Sequence, residues 1–131
     1  MPLFRRKKAD DEPVDPEARS EVSGLKYKDI LLMGQMVQGG ADLNQPRHAL
    51  YYLYFGTRDA ADEAATRGTA AGYSSDVREP LPEYPDQWCV VCERADAVLD
   101  IEGVKAADDL FQGIADDLGG EFDGWEAALQ P

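Results

Sequence analysis

Residues 104–129 read VKAADDLFQGIADDLGGEFDGWEAAL, and they give the clearest indication of the fold class. Its first part places apolar side chains three and four positions apart, which predicts an amphipathic helix that Asp100 can cap. Gly119-Gly120 ends that pattern, and residues 121–129 then predict a closing strand. The apolar positions of the helix are Val104, Ala107, Leu110, Phe111, Ile114 and Leu118. We therefore expect the chain to end on a helix followed by a strand.

Three more strands are predicted upstream. Residues 48–55 read HALYYLYF, which is apolar at consecutive positions and predicts a central strand covered on both faces. Residues 73–79 alternate and predict an edge strand, while residues 88–99 predict a strand with a break near Ala95-Asp96. An alanine-rich helix, which Thr57 can cap, lies between the first two of these strands.

A further helix is predicted before the first strand, over residues 25–38. Ser23 is its expected N-cap, and Gly39-Gly40 marks its expected end. Its apolar stripe consists of Tyr27, Ile30, Leu31, Gly34 and Val37.

The resulting order is βαββαβ with one preceding helix, which predicts an α+β ferredoxin-like sandwich. Both crossover helices of that fold lie on one face of a four-stranded antiparallel sheet, and the other face is open. That open face is too apolar here to remain in water, so we expect helix 25–38 to cover it, with a homodimer contact as the alternative. The residues considered for this face are Leu50, Tyr52, Tyr54, Val91 and Trp125.

The chain is strongly acidic, with 26 acidic and 13 basic side chains in 131 residues and a net charge of −13. Residues 1–24 are predicted to be a disordered charged tail that contains the basic cluster at residues 5–8. Residues 25–131 are predicted to be one domain, with 20 acidic and 8 basic side chains. Because such a surface repels phosphates and attracts cations, we expect a basic protein partner and no direct nucleic-acid binding.

No apolar run in the sequence is long enough for a membrane span or for a signal peptide. Two cysteines are too few for a disulfide framework. We therefore expect a cytoplasmic protein with reduced thiols and no membrane association.

Cys89 and Cys92 form a CxxC motif, which raises the question of a metal or redox site. Side chains three apart on a strand point to opposite faces, so these two thiols are predicted to be separated and structural. His48 lies on another predicted strand, and the serines have no neighbouring base that would activate them. The sequence therefore predicts no catalytic residue, no cofactor and no metal.

The segment Phe122-Asp123-Gly124-Trp125 is unusual for a strand, because an interior glycine weakens pairing. One interpretation is a bulge that lets Trp125 seal the sheet, and the other is a functional surface.

From about residue 31 to residue 129, the chain resembles the regulator of ribonuclease E activity B family (RraB-like proteins). The resemblance is carried by the helix at 31–38, GADLNQPRH at 40–48, AGY at 71–73, the cysteine-bearing strand at 88–94 and FDGW at 122–125. It implies a small, acidic, non-catalytic protein with a ferredoxin-like fold that binds ribonuclease E and restrains RNA cleavage.

The acidic charge of the chain agrees with this resemblance, because an acidic domain can bind a basic scaffold segment of a nuclease. We expect the partner to be a ribonuclease E/G-type nuclease or another basic protein, and the chain itself to be a monomer or a weak homodimer. The residues predicted to bind the partner are Asp108, Asp109, Asp116, Asp117, Asp123 and Trp125, the first four on a solvated face of the last helix.

Two other functions are compatible with the same fold. One is a small-molecule sensor or enzyme, for which Tyr52, Tyr54 and Trp125 would line a deep pocket. The other is a purely structural role as a homodimer that pairs through the open face of the sheet.

Overall fold

The computed structural model describes residues 15–131 of the chain. Three helices and four strands follow one another in the order α1, β1, α2, β2, β3, α3, β4. Their bounds are α1 Tyr27–Gln38, β1 Arg47–Phe55, α2 Arg58–Ala70, β2 Ser74–Arg78, β3 Trp88–Ala97, α3 Ile101–Leu118 and β4 Glu121–Ala127. The basic cluster at residues 5–8 lies outside the described residues.

The four strands form one sheet in the spatial order β2-β3-β1-β4, and each neighbouring pair is antiparallel. Each of α2 and α3 connects two strands that are not neighbours, as the split βαβ arrangement requires. The predicted α+β fold with a ferredoxin-like order and a preceding helix is confirmed.

The core lies between the sheet and the helices, on the face to which the odd-numbered residues of β1 point. Tyr51 stacks on Phe111 of α3, with ring centroids 4.8 Å apart. Tyr73 meets both rings edge-on, and Phe122 lies 5.6 Å from Phe111. The odd positions of β1 are buried and most of the even ones are half-buried, so β1 is covered on one face only and the prediction of two covered faces was wrong.

Helix α1 lies on the same side of the sheet as α3, and the prediction that it covers the open face was wrong. Trp125 pairs with Tyr51 across the β1–β4 ladder and therefore points to the core side. Its indole N–H donates to Asp29 of α1 at 2.9 Å. Lys28 of α1 donates to the carbonyl oxygen of Asp123 at 3.1 Å. These bonds place α1 beside β4, on the core side of the sheet.

The apolar stripe predicted for α1 points to solvent, with Leu31 63% exposed and Tyr27, Ile30 and Val37 also exposed. Asp29 and Met36 are buried instead. The helix is apolar around most of its circumference, so its periodicity does not specify the inner face. The position of α1 is set by the polar bond between Asp29 and Trp125 together with the packing of Met36 on the core.

Residues 15–24, which the sequence predicted to be disordered, form turns that return to the start of α1. Arg19 and Lys26 form a β-bridge, and the Ser20 N–H donates to the carbonyl oxygen of Leu25 at 2.8 Å. Lys26 also forms an ion pair with Glu17 at 3.1 Å. Because Lys26 is almost fully buried, this ion pair ties the segment to the domain.

Strand β3 runs without interruption to Ala97, so the predicted break is a local irregularity. The register with β1 shifts between Arg47 and Ala49, opposite Ala95 and Asp96. The position of the irregularity was predicted from the sequence, but its nature as a bulge was not.

Arg47 is buried at the start of β1 and holds the C-terminal residues in place. Its guanidinium donates to the carbonyl oxygens of Asp42 at 2.5 Å, Ala128 at 3.1 Å and Leu129. Carbonyl oxygens thus take the place of a carboxylate partner for this buried cation.

The N-caps agree with the predictions for α2 and α3 but not for α1, whereas the predicted end of α1 at Gly39 is confirmed. The Thr57 hydroxyl accepts from the Ala60 N–H at 3.2 Å, and the Asp100 carboxylate accepts from the Gly103 N–H at 2.8 Å. The residue that caps α1 is Lys26, without a side-chain hydrogen bond, so the prediction of Ser23 was wrong.

The N-cap of α2 gives a matched pair of substitutions. We expect Thr57→Ala to lower the free energy of unfolding by about 1 kcal/mol, because the Ala60 N–H loses its acceptor. Thr69→Ala is expected to leave the same quantity unchanged or slightly higher, since Thr69 is exposed on the same helix and caps neither of its ends. Urea unfolding followed by circular dichroism measures both values, and equal losses would contradict the cap assignment.

Candidate protein-binding site

The acidic residues of α3 do not share one face. Asp109, Asp116 and Asp117 are exposed, as predicted, but Asp108 is 0% exposed and lies in the core. The prediction that Asp108 belongs to a solvated face was wrong. The burial of Asp108 could have been predicted from its spacing. It is four residues after Val104 and three before Phe111, and these positions share one helix face.

The exposed acids of α3 are largely matched by nearby cations or donors. Asp109 pairs with Lys105 at 2.7 Å and with Arg19 at 3.5 Å. Asp117 pairs with Arg67 at 3.1 Å, and Asp116 accepts from a neighbouring glutamine side chain at 2.9 Å. Since two of the three carboxylates already face a cation, this side of α3 offers a partner little uncompensated negative charge.

Trp125 is 7% exposed and is not available as a surface anchor. The ladder between β1 and β4 shifts register between Tyr52 and Leu53, and Gly124 has a φ of 120°, which side chains rarely adopt. Of the two interpretations of this segment, the structure has the bulge, and the bulge turns Trp125 into the core. Asp123 remains exposed at the bulge.

The other face of the sheet carries aromatic side chains, and helices α1 and α3 lie on the opposite side; Val91 is nevertheless 4% exposed. Tyr52 pairs with Val91 on one side and with Gly124 on the other, so these residues share that face. Tyr54 pairs with Cys89, and both are half-buried. We call this surface, with Leu50, Tyr52, Tyr54, Cys89, Val91, Glu93, Asp123 and Glu126, the open sheet face.

The pocket expected for a small-molecule function is not formed. Tyr52 and Tyr54 lie on the open sheet face, whereas Trp125 points to the opposite side. These three side chains therefore do not line one cavity.

The open sheet face is negatively charged, because the carboxylates of Glu93, Asp123 and Glu126 outnumber the cation Arg78, which lies opposite Cys89 and pairs with Asp76 of β2 at 3.2 Å. The Tyr52 hydroxyl donates to Glu126 at 2.7 Å, and this bond raises the pKa of Tyr52 to about 12, so the phenol stays neutral. His48 is hydrogen-bonded to Glu93 at 2.5 Å. Both hydrogen bonds orient the carboxylates, and the neutral phenol of Tyr52 adds no positive charge to Glu126.

A cavity of about 510 Å³ continues the open sheet face beyond Tyr54. Three acids line it, namely Asp86, Glu121 and Asp123. The C-terminal end of α3 also faces it through Gly119-Gly120, and the carbonyl oxygens of a helix end add negative potential. An aromatic ring beside several carboxylates is suited to a guanidinium or ammonium group.

The cysteines are separated as predicted. Cys89 is on the open sheet face, whereas Cys92 pairs with Tyr51 and lies on the core side, 3.4 Å from the Ser75 hydroxyl. Burial raises the pKa of both thiols, which lowers the fraction of reactive thiolate. Within residues 15–131, no three His, Cys, Asp or Glu side chains are grouped closely enough to hold a metal ion.

The sequence indicated the aromatic part of this site and Asp123, but missed Glu93 and Glu126. Tyr52 and Tyr54 were assigned to the open face, yet a covering helix was expected there. Glu93 and Glu126 were overlooked, although they are opposite neighbours of Leu50 across β1. Only the cross-strand register brings these two carboxylates together, and a single sequence does not state that register.

The part of the chain from residue 15 to residue 131 has no helix of the length and apolarity needed to cross a membrane. Comparison with curated protein sequences gives no match. The family model described as Regulator of ribonuclease activity B matches residues 28–127. That range reaches from the start of α1 to the end of β4 and so includes the whole sheet. The chain belongs to the regulator of ribonuclease activity B (RraB) family.

Proposed function

We propose that this protein binds an endoribonuclease of the ribonuclease E type and lowers its rate of RNA cleavage. The observation that carries the proposal is the negatively charged, aromatic open sheet face in a member of a family of ribonuclease regulators. The proposed role is non-catalytic, because binding alone accounts for the regulation.

The proposed partner surface is a basic segment of the nuclease. A nuclease segment that holds RNA carries Lys and Arg to neutralise phosphates. The carboxylates of Glu93, Asp123 and Glu126 offer the same cations an alternative set of oxygen ligands. We expect the protein to compete with RNA for that segment and thereby to slow cleavage.

The two tyrosines add contact area and selectivity. Tyr52 and Tyr54 are half-buried, so part of each side chain remains accessible on the open sheet face. An arginine can stack on such a ring while it pairs with a carboxylate, whereas a simple anionic patch lacks this geometry. Arginine-bearing segments are therefore the preferred ligands in this proposal.

The negative charge of the protein also affects the rate of association and the choice of partner. The net charge of −13 steers a basic partner towards the protein and repels RNA. We propose that the complex forms in the cytoplasm and that the protein binds as a monomer or from a weak homodimer.

Isothermal titration of the protein with a purified ribonuclease E-type enzyme tests this function. We expect saturable binding that weakens about tenfold or more between 50 and 200 mM salt, because oppositely charged surfaces meet. Titration with RNA alone is the control and is expected to give no heat of binding. Absence of binding to the nuclease at 50 mM salt would overturn the proposal.

A further inference from the structure

Two carboxyl groups meet in the core where α1 packs on α3. Asp108 is 0% exposed and Asp29 is 2% exposed. Asp29 accepts one hydrogen bond, from the Trp125 indole at 2.9 Å, and its second oxygen has no donor within residues 15–131. Neither oxygen of Asp108 has a donor among the described residues.

A buried carboxylate without a donor is costly, because it loses the hydration of a full charge. Asp108 avoids this cost when it carries a proton, since its O–H can then donate to the neighbouring Asp29 carboxylate. The pair is then a single hydrogen-bonded unit with one shared proton and one negative charge.

The groups that face the pair compensate one negative charge but not two. Lys26 and Arg19 are the cations, and Tyr51 is a buried phenol whose pKa burial raises, so it stays neutral. Arg19 is exposed and shared with Asp109. Lys26 is buried, but it is also shared with Glu17. Loss of the shared proton therefore leaves an uncompensated buried charge between α1 and α3.

We propose that Asp29 and Asp108 form a proton-dependent latch that holds α1 against α3 and β4 and releases it when the pair loses its shared proton. The site joins three elements, since Asp29 is on α1, Asp108 is on α3 and the Trp125 indole that donates to Asp29 is on β4. When α1 is released, the Trp125 indole loses its hydrogen bond to Asp29 and becomes exposed to solvent. This latch is independent of the binding function proposed above.

The ionisation of Asp108 gives the pH range of the latch. Burial, followed by the hydrogen bond and the charge of Asp29, raises the pKa of Asp108 to about 8. An exposed aspartate has a pKa of about 3.9. Between these two pKa values, the closed state binds one proton more than the open state. The stability of the closed state therefore falls as the pH rises through this range. The equilibrium shifts towards opening by roughly tenfold per pH unit at most, and it levels off above the pKa of the closed state.

Trp125 fluorescence reports the opening directly. The protein has two tryptophans, so a Trp88→Phe background leaves Trp125 as the single reporter. Between pH 6 and pH 9.5, we expect its emission to shift to longer wavelength as the indole becomes exposed. Asp108→Asn in the same background cannot ionise, and its amide can still donate to Asp29, so the shift is expected to disappear. The matched control Asp109→Asn removes an exposed neighbouring charge and is expected to keep the transition.

If Asp108→Asn does not fold, nuclear magnetic resonance of the unsubstituted protein provides a second test of the latch. In the unsubstituted protein, the ¹³C carboxyl resonance of Asp108 is expected to show a protonated acid at pH 6.5 and to titrate near pH 8. A carboxyl that is already ionised at pH 6.5, or an emission shift that is unchanged in Asp108→Asn, would overturn the latch.

Discussion

Gly120→Ala is expected to destabilise the protein by about 3 kcal/mol or more, because the new methyl group has no space. A Cβ atom at this position would lie 2.3 Å from Cδ1 of Phe55 and 2.4 Å from the carbonyl oxygen of Tyr54. Both neighbours belong to β1, the central strand that pairs with β3 and β4. The carbonyl oxygen cannot move without breaking the sheet, so the connection from α3 to β4 has to shift.

The matched control for this substitution is Gly113→Ala in α3, where nothing lies within 4 Å of the position that the new methyl group would occupy. Alanine is favoured over glycine inside a helix by about 0.5–1 kcal/mol, so this variant is expected to be as stable as the parent protein or more so. Thermal unfolding should show a melting temperature lower by about 10 °C or more for Gly120→Ala and no decrease for Gly113→Ala. Equal melting temperatures for the two variants would show that the backbone at Gly120 does not lie this close to β1.

Reversing two charges on the open sheet face is expected to weaken nuclease binding by roughly 100-fold, or about 2.7 kcal/mol. The substitutions are Glu93→Lys and Glu126→Lys, which lie on either side of Leu50 across β1. They replace attraction to a basic segment by repulsion between like charges, and such contacts cost several kcal/mol. Both side chains are exposed, and the hydrogen bonds that they lose are to His48 and Tyr52 at the surface, so the fold is expected to survive.

The control for this pair is Asp116→Lys with Asp117→Lys on α3, which changes the net charge by the same amount. Both positions are exposed and were predicted from the sequence to bind the partner. If the open sheet face is the docking surface, this second pair is expected to weaken binding only a few-fold through the long-range field. A greater loss for the α3 pair than for the sheet pair would assign the docking surface to α3. Titration calorimetry at one fixed salt concentration measures both dissociation constants.

The order of the elements could be predicted because each one has its own local signal. The spacing of apolar residues in α3, the consecutive apolar residues of β1 and the caps Thr57 and Asp100 are properties of neighbouring positions. The ferredoxin-like topology then follows from the order of the elements, since few arrangements connect them without crossings.

The faces of the elements could not be predicted as well, because long-range polar contacts decide them. Helix α1 turns an aspartate inward and an apolar stripe outward, and the bond from Trp125 of β4 together with the packing of Met36 on the core explains that choice. Asp108 was assigned to the surface by its chemical type, although its position on the helix was that of a core residue. The acids of the open sheet face come from β3 and β4, which meet only through β1.

Regulation through the open sheet face can be tested by measuring the rate of RNA cleavage by the purified nuclease at increasing concentrations of three proteins. These are the parent protein, the double variant Glu93→Lys with Glu126→Lys, and the double variant Asp116→Lys with Asp117→Lys. We expect the parent and the α3 variant to lower the cleavage rate as binding saturates, and the sheet variant to leave it unchanged at the same concentrations. A rate that the parent does not lower at saturation, or that all three proteins lower equally, would contradict regulation through the open sheet face.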